Sequence, residues 1–458
     1  MMFPKYPKYK PSGTEWLGEI PEHWEVIRVK SLEGNKASVV QTGPFGAQLH
    51  AHDYVDEGVP LILIRNVGDM RIDDTDIPMI SQEDAERLSM YRLKAGDIVF
   101  SRVGSIGRIA LCSDREHGWL ISGQMLRLRI TNPRLYHKFA VYAFGCSSIL
   151  TFVELQSVGS TRESVNTDIL RNMPLPIPPE DEQRAISAFL DQETAQIDEL
   201  IKKKERQIEL LQEKRTALIS HAVTKGLNPN VKMKPSEIEW LGDIPEHWEV
   251  KSIKHLSAIQ RGKFSHRPRN DPRFYGGAYP FIQTGDISAA GKFIRTCHQT
   301  LNDEGLSISK VFPKGTLVMS IAANIGDIAI LGFDACFPDS IVGFLPSRDV
   351  DLDFYYYALF ALRDEMINAS TINTQLNINI ERIGSVKTVL PPLPEQRAIA
   401  AFLDQETARI DALIEKIRKS IDLLREYRTA LITAAVTGKI DVRLAAAENA
   451  AQAGEEVA

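Results

Sequence analysis

EQRAISAFLDQETAQID, Glu182 to Asp198, returns 213 positions later as EQRAIAAFLDQETARID, Glu395 to Asp411. RTALI recurs at the same spacing, from Arg215 and from Arg428, and AVT follows at Ala222 and Ala435. Each copy reads as one long amphipathic helix. Pro178-Pro179 and Pro391-Pro392 punctuate the starts, because a ring-locked φ and a missing N–H are tolerated only before a helix or in its first turn. Gly226 and Gly438 stand at the ends, where a left-handed residue closes the last turn. The expected helices run from Glu180 to Thr224 and from Pro394 to Thr437. In the first, Leu190, Ile197, Lys204, Leu211 and Leu218 recur every seven residues, with Thr194, Ile201, Ile208, Arg215 and Ala222 four further on. In the second, Leu403, Ile410, Ile417, Leu424 and Leu431 are followed by Thr407, Ile414, Ile421, Arg428 and Ala435. Such a/d seams belong to coiled coils. Two matched seams in one chain predict that the helices pair with each other. They could run parallel or antiparallel; the pseudo-twofold of the repeat favours an antiparallel pair, a rod of about 63 Å at 1.5 Å per residue.

Outward from the helices lies a second repeat. TEWLGEIPEHWEV, Thr14 to Val26, matches IEWLGDIPEHWEV, Ile238 to Val250, with Trp16 and Trp240 224 positions apart. Between the near-identical segments the sequence diverges but keeps a common pattern. AGDIVFSRVGSIGRIA from Ala95 parallels KGTLVMSIAANIGDIAI from Lys314, and Pro60-Leu61-Ile62 parallels Pro280-Phe281-Ile282. Short β-rich runs (Pro60–Ile64, Asp97–Phe100, Ile106–Leu111) alternate with helical runs (Tyr136–Leu155, Asp353–Asn368). Each variable domain is therefore expected to be α/β on a twisted sheet. Two units of this length are too few and too long for a solenoid.

Composition excludes several classes. With 43% hydrophobic and 25% charged residues in 458, the chain is globular rather than disordered. The longest apolar stretch, Leu317 to Leu331, is broken by Asn324 and Asp327, so no membrane span is expected. MMFPKYPKYK has no apolar targeting core, and four scattered cysteines offer no disulfide framework. A cytoplasmic protein with reduced thiols is expected. The net charge of −6 does not advertise a nucleic-acid binder, but binding needs only a local basic face. There is no P-loop pattern, no Gly-rich cofactor loop, no amino-methyltransferase N-P-P-Y and no H-E-x-x-H. His50-Ala-His52 lacks further ligands for a metal site, and Gly104-Ser-Ile-Gly107 reads first as a tight turn.

This layout resembles the specificity subunit of type I restriction-modification systems, over nearly the whole chain. The motifs that carry it are WLGEIPEHW and WLGDIPEHW (from Trp16 and Trp240), GPFGAQL from Gly43, PLPIPPEDEQRAI from Pro174 and VLPPLPEQRAI from Val389. DPRFYGGAYPFIQTGDI from Asp271, FPKGTLV from Phe312 and FDACFPDSIVGF from Phe333 add to it. The resemblance implies an α/β fold class: two mixed α/β target-recognition domains separated by two long antiparallel coiled-coil helices, in a pseudo-twofold internal repeat. The expected boundaries are 1–179, a first spacer helix 180–225, 226–391, a second spacer helix 392–438 and a flexible tail 439–458. The resemblance also implies a non-catalytic subunit that reads a bipartite, asymmetric double-stranded DNA site. It would hold two methyltransferase (M) subunits, with motor-nuclease (R) subunits further out. S-adenosylmethionine, ATP and magnesium would belong to those partners, and this chain would carry no cofactor, no metal and no catalytic residue. A reader fused to, or acting by itself as, a restriction or modification enzyme is the alternative. The GPFG loop is absent around Gln260-Arg261-Gly262-Lys263, so the two domains should read different sequences.

Major-groove readout favours Arg, Lys, Asn and Gln on stiff loops, whose paired or forked donors match base edges. In the first domain the candidates are Gln41, Gln48, His50, His52, Arg102, Ser105, Arg108, Gln124 and Arg162. In the second, Arg261, Lys263, Arg267, Arg269 and Arg273 crowd one polar stretch with Phe264, Phe274 and Tyr275 between them. Asn324 and Gln375 match Ser105 and Arg162 by alignment. A solvated loop is the competing reading for each. Helix pairing is assigned to Leu190, Ile197, Ile201, Ile208, Leu211, Leu218, Leu403, Ile410, Ile414, Ile417, Ile421, Leu424 and Leu431. The tryptophans Trp16, Trp24, Trp240 and Trp248 read as packing anchors.

Overall fold

A computed structural model describes residues 3–32, 40–44, 48–68, 70–102, 108–157, 165–265, 271–322, 325–368, 371–372, 376–377 and 380–444. Two helices dominate, Glu180–Lys225 with 46 residues and Leu393–Val436 with 44. Glu180, Asp181 and Glu182 fill the first turn of the first, where negative charge meets the positive end of the helix dipole. Gly226 (φ +78°) and Gly438 (φ +71°) take the left-handed conformation after each helix.

The chain forms two compact units, Met1–Lys204 with Lys419–Ala458, and Glu205–Arg418. Each unit holds the first part of one long helix and the last part of the other. In the first, Ile186, Phe189, Leu190 and Ile197 share a core with Leu431, Ile432, Ala435 and Val436. In the second, Ile219, Ala222 and Val223 share a core with Ile399, Ala400 and Leu403. Every apolar seam position is buried or half-buried, from Leu190 to Leu218 and from Leu403 to Leu431.

Both units repeat one architecture. In the first, a hairpin pairs Tyr9–Pro11 with Glu19–Pro21, and Glu25–Arg28 pairs with Pro174–Ile177, just before the long helix. A four-stranded antiparallel sheet follows, in the order Ile109–Leu111, Ile98–Ser101, Met125–Leu128, Val40–Thr42. A second sheet orders Leu120–Ile121, Val59–Ile62, Met79–Ile80 and Tyr54–Val55. In the second unit, Met233–Pro235 pairs with Asp243–Pro245, and Glu249–Ser252 with Lys387–Leu390. The main sheet there orders Ser257–Arg261, Ile341–Pro346, Leu317–Ser320, Ile328–Leu331 and Phe293–Ile294. Both hairpins use KxKPS, Lys8 to Ser12 and Lys232 to Ser236, so the repeat begins before Thr14.

Three expectations are corrected. The helical run from Tyr136 is two helices, His137–Phe144 and Ser147–Ser157. It breaks at Gly145, where a Cβ would lie 2.7 Å from Met70 Cε and 3.1 Å from the Val141 carbonyl. The run from Asp353 likewise divides into Leu352–Ala361 and Arg363–Asn368. Nor do residues 439–444 belong to a free tail. Lys439 Nζ donates to the carbonyls of Leu17 (3.2 Å) and Glu19 (2.8 Å), Asp441 N–H donates to Pro4 O (2.8 Å), and Val442 is fully buried. Residues 445–458 lie outside the described residues.

Candidate nucleic-acid interface

The main sheet of each unit ends in a row of loops. In the first unit the register aligns Thr42 with Leu126 and Ser101 with Met125. Gly43 N–H then donates to Met125 O, Arg102 N–H to Gln124 O, and Ser101 N–H to Arg108 O. Val165 N–H donates to Arg102 O, so the chain after 164 arrives at the same edge. Gly43 is required there: a Cβ would sit 2.1 Å from Ser122 O. Arg102, Arg108 and Gln124 are thus brought together on backbone held by sheet hydrogen bonds. Arg108 and Gln124 are exposed, and Arg102 is half-buried. Arg108 also reaches back to Val67 O at 3.3 Å.

Gln41 lies one residue inside this edge, and its amide oxygen accepts from the buried Arg127 guanidinium. Gln48, His50 and His52 belong to the second sheet's side. Gln48 Oε1 accepts from Tyr91 (3.0 Å), and its carbonyl accepts from Arg87 (3.0 Å). The His50 and His52 rings stack at 5.1 Å with Asp53 beside them, 3.3 Å from His52 Nε2. Among the described residues no cluster of His, Cys, Asp and Glu could hold a metal. Ser105 and Arg162 lie outside the described residues, as do Gly104 and Gly107.

The second unit builds the same edge with other side chains. Gly262 N–H donates to Ile341 O, Ile321 N–H to Ser340 O and Ser320 N–H to Asp327 O. Gly262 takes the place of Gly43, its Cβ position 2.2 Å from Pro338 O. The glycine turn is therefore kept although GPFG is gone. Ile321, Ser340 and Asp327 replace Arg102, Gln124 and Arg108. Asp327 is ion-paired to Arg363 at 2.8 Å and accepts from Ser288. Arg261 and Lys263 are exposed at this edge, and Arg261 Nε donates to Asp339 O (2.6 Å). Lys310, 2.6 Å from Gln260 Oε1, joins them; fifty residues of separation hid it from sequence reading. Arg273 is exposed but paired with Asp271 at 2.9 Å. Phe264 and Phe274 are buried with Phe281 in a small core, so they pack rather than stack on bases. Arg267, Arg269, Asn324 and Gln375 lie outside the described residues.

The near-identical segments meet one another. Glu182, at the start of the first long helix, accepts from Trp24 Nε1 (3.1 Å) and faces His23 Nε2 (2.8 Å). Glu395 does the same with Trp248 (2.6 Å) and His247 (2.9 Å). The next residue, Gln183, holds Tyr136 N–H and the Arg134 and Pro178 carbonyls, and Gln396 holds Asp351 N–H and the Asp349 and Pro391 carbonyls. About two turns on, Tyr142 donates to Asp191 and Tyr357 to Asp404. The two sequence repeats are thus two halves of one clamp, which fixes each variable domain on its helix.

A family model described as the type I restriction modification DNA specificity domain matches residues 62–210 and 245–423. The chain belongs to this family. It is a specificity subunit of a type I restriction-modification system. The putative type I restriction enzyme MjaX specificity subunit of Methanocaldococcus jannaschii is 28% identical over 435 residues, spanning 93% of this chain and 96% of that protein. The EcoKI specificity subunit of Escherichia coli K12 is 19% identical, across 92% of this chain and 90% of its own. Two solved chains share the fold. One, from work on complex assembly and conformational transition of the type I R-M system, gives a TM-score of 0.67 at 18% identity, covering 91% of this chain and 98% of that one. The HsdS subunit from Thermoanaerobacter tengcongensis gives 0.50 at 17%, covering 92% and 98%. Among the described residues, no helix of this specificity subunit is long and apolar enough to cross a membrane.

Proposed function

We propose that this specificity subunit reads a bipartite, asymmetric double-stranded DNA site, one half with each variable domain. One observation carries the reading. The two sheet edges keep the same backbone hydrogen bonds and the same glycine, yet Arg102, Gln124 and Arg108 on one stand where Ile321, Ser340 and Asp327 stand on the other. One frame with two chemistries suits two different half-sites. Arg102, Arg108 and Gln124, with Gln41, Gln48, His50 and His52 flanking, would contact the first half; Arg261, Lys263 and Arg273 would contact the second. Ser105, Arg162, Arg267, Arg269, Asn324 and Gln375, outside the described residues, are further candidates for these contacts by their residue type.

The long helices pair as an antiparallel coiled coil in this reading. Arg428 pairs with Asp198 in the first unit at 3.0 Å and Arg215 with Asp411 in the second at 3.5 Å. Within each unit, then, an arginine in the seam of one long helix meets an aspartate on the other. The helices and clamps would separate the half-sites and hold two methyltransferase subunits, with motor-nuclease subunits further out, in the cytoplasm. S-adenosylmethionine, ATP and magnesium would act in those partners, and this chain would do no chemistry.

Selection from a randomised duplex pool, with methyltransferase subunits present, tests the reading. Two fixed blocks separated by unread bases are expected. One continuous block, or no enrichment, would refute it.

A further inference from the structure

The two Trp–His–Glu clamps differ in what covers them. In the first unit the cover is Tyr6, only 3% exposed, whose hydroxyl donates to Glu182. Its ring meets Trp24 edge-on at 5.7 Å, and the Arg443 guanidinium lies 5.0 Å from its centre. Burial, then the hydrogen bond to Glu182, pushes the Tyr6 hydroxyl far above its ordinary range, so it stays a donor. In the second unit the position 224 residues on is Asn230, which is exposed. The first unit draws its cover from two stretches, residues 3–8 and 439–443. The second runs directly from Gly226 to Lys232 and has only residues 227–231.

What remains is a cavity of about 130 Å³, bounded by Trp248, His247, Glu395, Ile399, Leu227 and Val231. An apolar cavity of about 150 Å³ accommodates a benzene ring. Glu395 meets two of the three donors that Glu182 meets, and its side chain is 45% exposed against 5%. A carboxylate accepts about four hydrogen bonds, so the third acceptor place is open.

We propose that this cavity is a docking seat for a tyrosine side chain presented by a partner polypeptide, its ring against Trp248 and Ile399 and its hydroxyl donating to Glu395. The first unit shows the occupied form with the chain's own Tyr6. A ring without a donor fills the space but leaves the carboxylate unpaired. A basic side chain pairs with the carboxylate but leaves the apolar space between Leu227, Val231 and Ile399 unfilled.

The test uses the full chain labelled with 5-fluorotryptophan, whose five ¹⁹F resonances are assigned by single Trp→Phe replacements. An acetylated, amidated Gly-Tyr-Gly peptide is titrated to millimolar concentration. The Trp248 resonance should shift and the Trp24 resonance should not, because Tyr6 already fills that seat. Asn230→Tyr should move the Trp248 signal by itself and abolish the titration. Glu395→Gln should weaken the peptide about tenfold, the value of a charge-assisted hydrogen bond, and Gly-Phe-Gly should bind weaker by a similar factor. No shift with the tyrosine peptide, an unchanged titration in Asn230→Tyr, or equal response to Gly-Phe-Gly would overturn the proposal. So would a response to 4-methylphenol with none to the peptide, which would make the cavity a small-molecule site.

Discussion

At the scale of single residues, the two units solve one electrostatic problem in two ways. In the first, Lys138 Nζ sits 2.7 Å from Asp191 on the long helix. The equivalent of Lys138 in the second unit is Asp353, which faces the equivalent carboxylate, Asp404. Lys292 comes across from the variable domain to bridge them, 2.7 Å from Asp353 and 2.5 Å from Asp404, over the Tyr357 ring at 5.0 Å. Lys292→Ala should leave two like charges facing each other and cost about 1–2 kcal/mol of unfolding free energy. Adding Asp353→Lys should restore it by recreating the first unit's pair. Urea unfolding of both variants checks this, and a double mutant no more stable than Lys292→Ala would break the equivalence. The sequence displays both EHW and EQ motifs but not their meeting, because side chains that touch across 158 residues leave no local pattern. Lys292 was invisible for the same reason: its partners are set by a tertiary bridge in the second unit alone.

At the scale of elements, the long helices were the most legible feature. Seven-residue periodicity, flanking prolines and terminal glycines all act within a few turns, and the observed limits fall within a residue of those expected. Basic residues inside the apolar seam made sense only in three dimensions, where Arg215 and Arg428 each find an aspartate on the other helix. Arg428 is only 16% exposed, so losing its partner leaves a poorly solvated charge. Asp198→Arg should destabilise the first unit by about 2–3 kcal/mol. Combining it with Arg428→Asp should recover most of that, and a thermal double-mutant cycle measures the coupling. Zero coupling would mean that the pair does not set the register. The variable domains were less legible, because their strands are two to seven residues long and their order depends on partners far away in sequence.

At the scale of the whole molecule, composition misleads. A net charge of −6 describes the entire surface, whereas readout needs a few side chains on one sheet edge. The alignment of Gly43 with Gly262 was lost to sequence reading because only the backbone beneath it is shared. Replacing residues 25–177 by the equivalent segment of a relative should change one half of the recognised site and leave the other intact, because every clamp residue on the helix is retained. Methylation mapping in the reconstituted complex checks this, and altered bases in both halves would contradict separate reading. The interleaving of the units also sets an order of synthesis. Ile186, Phe189, Leu190 and Ile197 leave the ribosome long before Leu431, Ile432 and Val442, which complete their core. At about 5–20 residues per second, the intervening Glu205–Arg418 takes about 10–40 s to make. The second unit can close during that interval, while the first waits with its apolar stripe open to chaperones or to other nascent chains. A chain stopped after Arg418 should therefore retain a cooperative unfolding transition from the second unit while binding a hydrophobic dye through the first. Full suppression of the dye signal by adding a peptide of residues 419–444 would show that the last segment to be translated is the one that seals the first to be made.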